Sequence, residues 1–124
     1  MPIVADYKVI REEKFTLQQL LQTGQLDVDP VNFNLDLPDV ESRSIVAFKI
    51  DLVNADQFHF SVDVNGTVLL SRIFTGARSF TYHAVIPTNV LLGGSNTITF
   101  NAKSPTGGGS AEISDIVLWY RRRV

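Results

Sequence analysis

Residues 57–74 read QFHFSVDVNGTVLLSRIF, and the order of apolar and polar residues in this stretch decides the fold. Phe58, Phe60, Val62 and Val64 fall on one side of an extended chain, with Gln57, His59, Ser61 and Asp63 on the other. A slip of one residue would turn all four apolar side chains to water, so burial specifies the register. Asn65-Gly66 follows at once, and this pair tolerates the positive φ values of a type I′ turn. The segment therefore reads as two strands, 57–64 and 67–74, joined by a two-residue hairpin.

The same period extends in both directions. Val46, Phe48, Ile50 and Leu52 alternate with Ala47, Lys49, Asp51 and Val53, predicting a strand over 44–53. Further strands are expected over 79–86, stopped by Pro87, over 96–103 after Gly93-Gly94, and over 111–121 after the triplet Gly107-Gly108-Gly109. Upstream, Phe33, Leu35 and Leu37 alternate with Asn34 and Asp36 up to Pro38, and residues 3–10 complete a set of about eight strands. Many short strands separated by turn signals are the pattern of an all-β antiparallel sandwich or barrel. One segment differs. Thr16 and Gln19 have capping-box spacing, Phe15 and Leu20 stand where a hydrophobic staple would, and Gly24 could end the turn. These residues predict one short helix over 17–23 with Leu17, Leu20 and Leu21 packed on the sheet, a strand being the alternative.

The chain has 124 residues, a length suited to a single domain over 1–124. It has no cysteine, which excludes disulfides, cysteine zinc sites and thiol nucleophiles. Its net charge of −2 supplies no overall field for a polyanion, so nonspecific nucleic-acid binding is not expected. The charge is uneven: residues 1–41 hold eight acids and three bases, a net −5, and the remainder five acids and eight bases, a net +3. That asymmetry permits head-to-tail contacts between chains. No apolar run approaches the roughly 20 residues of a membrane-spanning helix, so membrane insertion is not expected. The opening MPIVADYKVIREEK lacks the pattern of a secretory signal, an expectation that leans toward the cytoplasm.

The stretches IVAFKIDLVNADQFHFSVDVNGTVLLSRIFTG, VIPTNVLLGGSNTITFNA and ISDIVLWY resemble the galactose-binding-like jelly-roll domains found beside glycoside hydrolases and in lectins. The likeness covers about residues 44–120. It rests on a strand ending in VNG, on Leu92-Gly93-Gly94-Ser95-Asn96 before an ITF strand, and on the acidic residue of ISD in the final strand. It implies a β-sandwich of jelly-roll type, noncatalytic sugar binding and, in some members, a structural calcium. Asp115 matches the acidic position of the last strand and is the tentative metal residue, although calcium takes six to eight oxygens and one Asp supplies too few. Such domains also serve as assembly modules in multisubunit proteins, so a structural role in protein contacts or homo-oligomerisation is the alternative.

The candidate site residues follow from the same alternation. If Ile116, Leu118 and Tyr120 face the core, Trp119 and Val117 face outward, and an exposed indole can stack on the apolar face of a sugar ring. His59 and His83 lie on the polar sides of their strands and could share a face with Asp51, Asp63 and Lys49 if those strands lie in one sheet. Thr97, Thr99 and Asn101 form an outward polar ladder with Thr81 and His83. Trp119, His83, His59, Asp63 and Asn101 are thus the expected ligand-binding set. Phe80 and Tyr82 share a face and read as core. No G-x-S-x-G or S-x-x-K motif is present, and Glu41 and Glu112 are not placed as a pair, so no enzyme activity is expected. Arg121, Arg122 and Arg123 read as a solvated end that guards an edge strand, and Asn65-Gly66-Thr67, formally a glycosylation sequon, reads first as a turn.

Overall fold

The computed structural model describes residues 2–18, 27–102 and 108–124. They form seven strands: β1 (Ile3–Arg11), β2 (Phe15–Gln18), β3 (Asp27–Leu35), β4 (Ser44–Val64), β5 (Thr67–Ile86), β6 (Gly94–Ala102) and β7 (Gly108–Arg123). Every pairing is antiparallel, and the order is β1-β7-β4-β6-β3, with β5 on the other edge of β4 and β2 on β7.

The long β4–β5 ribbon organises this sheet. The 57–64 and 67–74 hairpin forms as expected: Val64 faces Thr67 across a turn in which Asn65 has φ 50° and Gly66 φ 87°. The expected strands over 44–53 and 57–64 are one continuous strand, and those over 67–74 and 79–86 are another, so eight expected strands become seven once β2 is added. The joins are irregular. The β4–β5 register shifts between Leu52 and Ala55 and again between Ala55 and Phe58, opposite Gly76 at φ 91°. Extra residues in one strand bend and twist it. At this bend the free edge of β4 passes from β7, which it pairs over residues 45–56, to β6, which it pairs over residues 60–64. The sheet thereby folds over on itself into a nearly closed sandwich.

The core lies between the two layers. Phe60 is fully buried, with ring centroids 6.0 Å from Phe48, 6.2 Å from Phe74 and 6.2 Å from Phe100. Phe15 of β2 reaches Phe100 of β6 at 5.4 Å, edge to face, although these strands do not pair. Burying one such ring stabilises the fold by about 1.5–3 kcal/mol, so this cluster is a principal source of cohesion.

Three expectations need correction. Leu17 and Gln18 are not the start of a helix: they belong to β2, opposite Ala111 and Ser110, and residues 19–23 lie outside the described residues. The open edge of β7 offers Phe15 and Leu17 a buried face at period two, and tertiary pairing overrides the capping pattern. The strand expected over 33–37 begins earlier, at Asp27, and stops at Leu35; Leu37 is exposed at φ 48°. Pro30 sits comfortably in β3 because that strand lies at an edge. The terminal arginines, finally, do not guard an edge. Arg121, Arg122 and Arg123 pair with Ala5, Val4 and Ile3 of β1, while Pro38 bridges Arg122 on the other side. Arg122 Nε meets Asp6 Oδ2 of β1 at 3.0 Å, and an Arg123 Nη meets Asp39 Oδ1, between β3 and β4, at 3.3 Å, so two of the three guanidinium groups tie β7 to its neighbours.

Candidate functional site

Trp119 faces outward from β7, as the alternation of Ile116, Leu118 and Tyr120 requires, and is 52% exposed. Its neighbours come from strands far away in sequence. Tyr7 on β1 stands directly opposite, its ring 5.3 Å away and tilted by 41°. On the other side Trp119 meets Ile45 of β4, and Ile45 meets Val85 of β5. Tyr7, Trp119, Ile45 and Val85 form an exposed row across four strands. Opposed residues on adjacent strands lie within side-chain reach, so the row is a continuous apolar surface.

A hollow of about 200 Å³ opens beside the indole, lined by Ala5, Asp6, Arg43, Ile45, Trp119 and Arg121 among others. Arg43 and Arg121 are exposed and form no ion pair among the described residues. Beneath this surface Tyr120 points inward, and burial, with the nearby Asp6 carboxylate, raises its phenol above the ordinary range. Next along β5 is His83, exposed and opposite Ala47, followed by Thr81 opposite Lys49 and Ser79 opposite Asp51. Lys49 Nζ lies 3.9 Å from Asp51 Oδ2. The face thus combines two aromatic rings with flanking cations, hydroxyls and an imidazole, which is the chemistry that stacks on a pyranose and hydrogen-bonds its hydroxyls.

The other expected site residues lie elsewhere. His59, Asp63 and Asn101 occupy the outer surface of the second layer, where β4 pairs with β6. There Asn101 Nδ2 donates to Asp63 Oδ1 at 3.2 Å, Ser71 Oγ lies 3.5 Å from His59 Nε2, and Thr97 Oγ1 donates to Asn32 Oδ1 at 2.7 Å. His83 stands opposite Ala47, twelve residues before His59 on β4, and the bend of the ribbon puts the two imidazoles in different layers. The five-residue set is therefore two groups: Trp119 with His83, and His59 with Asp63 and Asn101.

Asp115 is exposed at φ 53°, where β7 carries an extra residue between the partners of Ala47 and Lys49. Its backbone N–H donates to the Glu12 carbonyl at 3.3 Å. Among the described residues no group of three or more His, Asp or Glu is gathered. What the position demands is a residue that tolerates the left-handed region, as Asp does. Glu112 pairs with Lys14 at 3.2 Å.

Tyr7 escaped the sequence reading. With Ile3, Ala5 and Val9 it falls on the apolar side of the alternation in β1, yet that side is exposed, so neither its outward position nor its pairing with Trp119 was legible. The Leu92–Asn96 and VNG motifs, by contrast, meet in space. Asn65 Nδ2 donates to Asn96 Oδ1 and to the Val90 carbonyl, both at 2.9 Å. This occupies the amide nitrogen that glycosylation would require.

No protein-family model matches the sequence, and no curated protein sequence matches it. Solved structures do. The latent form of PorU from Porphyromonas gingivalis is similar at 14% identity and a TM-score of 0.65, over 93% of this chain and 13% of that one. BpGH86A, a β-porphyranase from Bacteroides plebeius, is similar at 15% identity and a TM-score of 0.56, over 97% of this chain and 21% of that one. A variant of CBM29-2, a family 29 carbohydrate-binding module, is similar at 12% identity and a TM-score of 0.55, over 94% of this chain and 86% of that one. The chain therefore spans a small part of the two large proteins and most of the length of the module. At these identities the likeness establishes the fold, a sheet-rich jelly-roll sandwich of the kind carbohydrate-binding modules have.

Proposed function

We propose that this chain is a noncatalytic carbohydrate-binding module whose ligand stacks on Trp119 and Tyr7. The observation that carries the proposal is the half-exposed indole, held against a second exposed ring on the sheet and flanked by a hollow with two arginines that form no ion pair among the described residues. A single exposed apolar side chain is ordinary, whereas contiguous exposed apolar surface marks an interaction site. Sites on strands are also preorganised, which lowers the entropic cost of binding. The likeness to a carbohydrate-binding module over most of both chains supports a sugar as the occupant, and supports binding rather than catalysis. His83, Arg43 and Arg121 are the proposed hydroxyl partners.

The test is a broad glycan array, with calcium and with chelator, on the wild type, Trp119→Ala and His83→Ala. Saturable binding to a defined glycan class that Trp119→Ala abolishes is expected; equal binding by wild type and Trp119→Ala would remove the site.

A second reading has its own observation. The row Tyr7–Trp119–Ile45–Val85 is apolar across four strands, which suits a homo-oligomeric or subunit interface as well as a sugar. Sedimentation equilibrium decides: a stable oligomer that Trp119→Ala dissociates favours the interface, and a monomer favours the open face.

A further inference from the structure

β5 pairs with β4 and, among the described residues, with nothing else, so it forms a long edge of the sandwich. From Leu70 onward its even-numbered residues stand opposite the even-numbered residues of β4 on either side of the bend, and Leu70, Phe74, Ala84 and Ile86 are buried accordingly. Two residues of the same set are arginines. Arg72 stands opposite Phe60 and Arg78 opposite Leu52, both core residues, yet both arginines are exposed. The bend at Gly76 separates them and holds the margin of the two layers open there.

Between them lies a cleft of about 430 Å³, larger than the hollow at Trp119, lined by Arg72, Phe74, Arg78, Ser79, Phe80 and Tyr82. The volume lies within the usual range of small-ligand sites. Phe80 and Tyr82 are half-buried and meet edge to face at 6.4 Å, and the Arg78 guanidinium lies 5.4 Å from the Phe80 centroid. No acidic residue lines the cleft, and neither Arg72 nor Arg78 forms an ion pair among the described residues. By contrast Arg122 and Arg123 each have a carboxylate.

We infer that this cleft is a second binding site, distinct from the Trp119 face, and that it takes an anionic carbohydrate. Guanidinium forks match the paired oxygens of a carboxylate or sulfate, while ring faces match the apolar side of a pyranose. A uronic-acid or sulfated sugar presents both in one residue. Ser79 adds a hydroxyl partner. The inference shares with the proposed function only the class of ligand, and not the place or the charge.

The test is calorimetric titration of the whole chain with oligogalacturonate (carboxylate), carrageenan oligosaccharides (sulfate) and neutral dextrin. The variants are Arg72→Gln with Arg78→Gln, which keep the apolar stems, and Trp119→Ala. Expected are saturable binding of at least one anionic probe, weakening with salt, an affinity loss of at least tenfold in the double Gln variant, and little change in Trp119→Ala. Whichever anionic probe binds identifies the charged group. Absence of binding to both anionic probes overturns the inference, as does anionic binding that survives the double Gln variant or is lost in Trp119→Ala. Arginines that merely guard the edge against strand addition would give the first of these outcomes. A folded far-ultraviolet spectrum for each variant secures the comparison, and dextrin binding lost only in Trp119→Ala reports separately on the proposed function.

Discussion

The side-chain amides of Asn65 and Asn96, 31 residues apart, are hydrogen-bonded at 2.9 Å and close one end of the sandwich. Asn96 is 1% exposed and also accepts from the Leu92 N–H and donates to the Leu92 carbonyl, both at 2.8 Å. Asn65 Oδ1 accepts from the Thr97 N–H, and the Asn65 N–H donates to the Thr97 carbonyl, both at 2.9 Å. The β4–β5 turn is thereby bound to the entry of β6. Asn96→Ala leaves the Leu92 N–H without its partner and is expected to cost about 2–4 kcal/mol. Asn65→Gly keeps the positive φ and removes only the amide, at about 1 kcal/mol. Urea denaturation of both and of the double variant should give a coupling above about 0.5 kcal/mol; strict additivity would mean that the two amides act independently.

Trp119 is half-exposed, so its removal should trouble binding more than folding. Trp119→Ala is expected to change stability by less than about 1 kcal/mol and to weaken glycan binding at least tenfold, about 1.4 kcal/mol. Tyr7→Ala removes the ring that holds the indole and should lose about 0.5–1.5 kcal/mol of affinity, whereas Tyr7→Phe should lose none. Titration calorimetry with the glycan found on the array measures all three, and a Tyr7→Ala affinity equal to wild type would confine the platform to Trp119.

Asp39 links pH to stability. Its carboxyl is held below the ordinary carboxylate range, first by the Ser42 hydroxyl donating at 2.6 Å, and then by Arg123, against an opposing effect of burial. A folded pKa below the unfolded one contributes stability above about pH 4, the unfolded value, and that contribution is lost as pH falls through the folded value. The urea midpoint of wild type should therefore fall more between pH 5 and pH 2 than that of Asp39→Asn. Parallel pH profiles would show that Asp39 has no such role.

Asp115 tests backbone against metal. At φ 53° it bears the strain of the left-handed region, so Asp115→Gly should be neutral or stabilising and Asp115→Val should cost about 1–2 kcal/mol. The melting temperature of wild type should be the same in calcium and in chelator. A rise with calcium that Asp115→Gly abolishes would instead assign Asp115 to a metal site.

The legible and illegible parts of this protein divide along one physical line. Alternation in 57–64 identified Phe58, Phe60, Val62 and Val64 as core, and Asn65-Gly66 identified the turn, because side-chain direction and turn conformation are local properties of the chain. The outward Trp119 was readable for the same reason. The helix expected over 17–23 failed where a local capping pattern competed with an available sheet edge. Continuity of β4 and β5 through their bends was equally hidden, since nothing in residues 53–57 or 75–78 states that the ribbon continues into the other layer.

Sequence by itself thus determined that the central strand buries Phe58, Phe60, Val62 and Val64, where the main hairpin turns, and that the chain is all β. Tertiary structure alone decided which strands lie side by side, and therefore which outward residues meet. It set Tyr7 against Trp119 across 112 positions of chain, sent His59 and His83 to different layers, and opened the cleft that displays Arg72 and Arg78. Pairing is chosen by the packing of the whole core, whose contacts join residues far apart in sequence, and no local period encodes that choice.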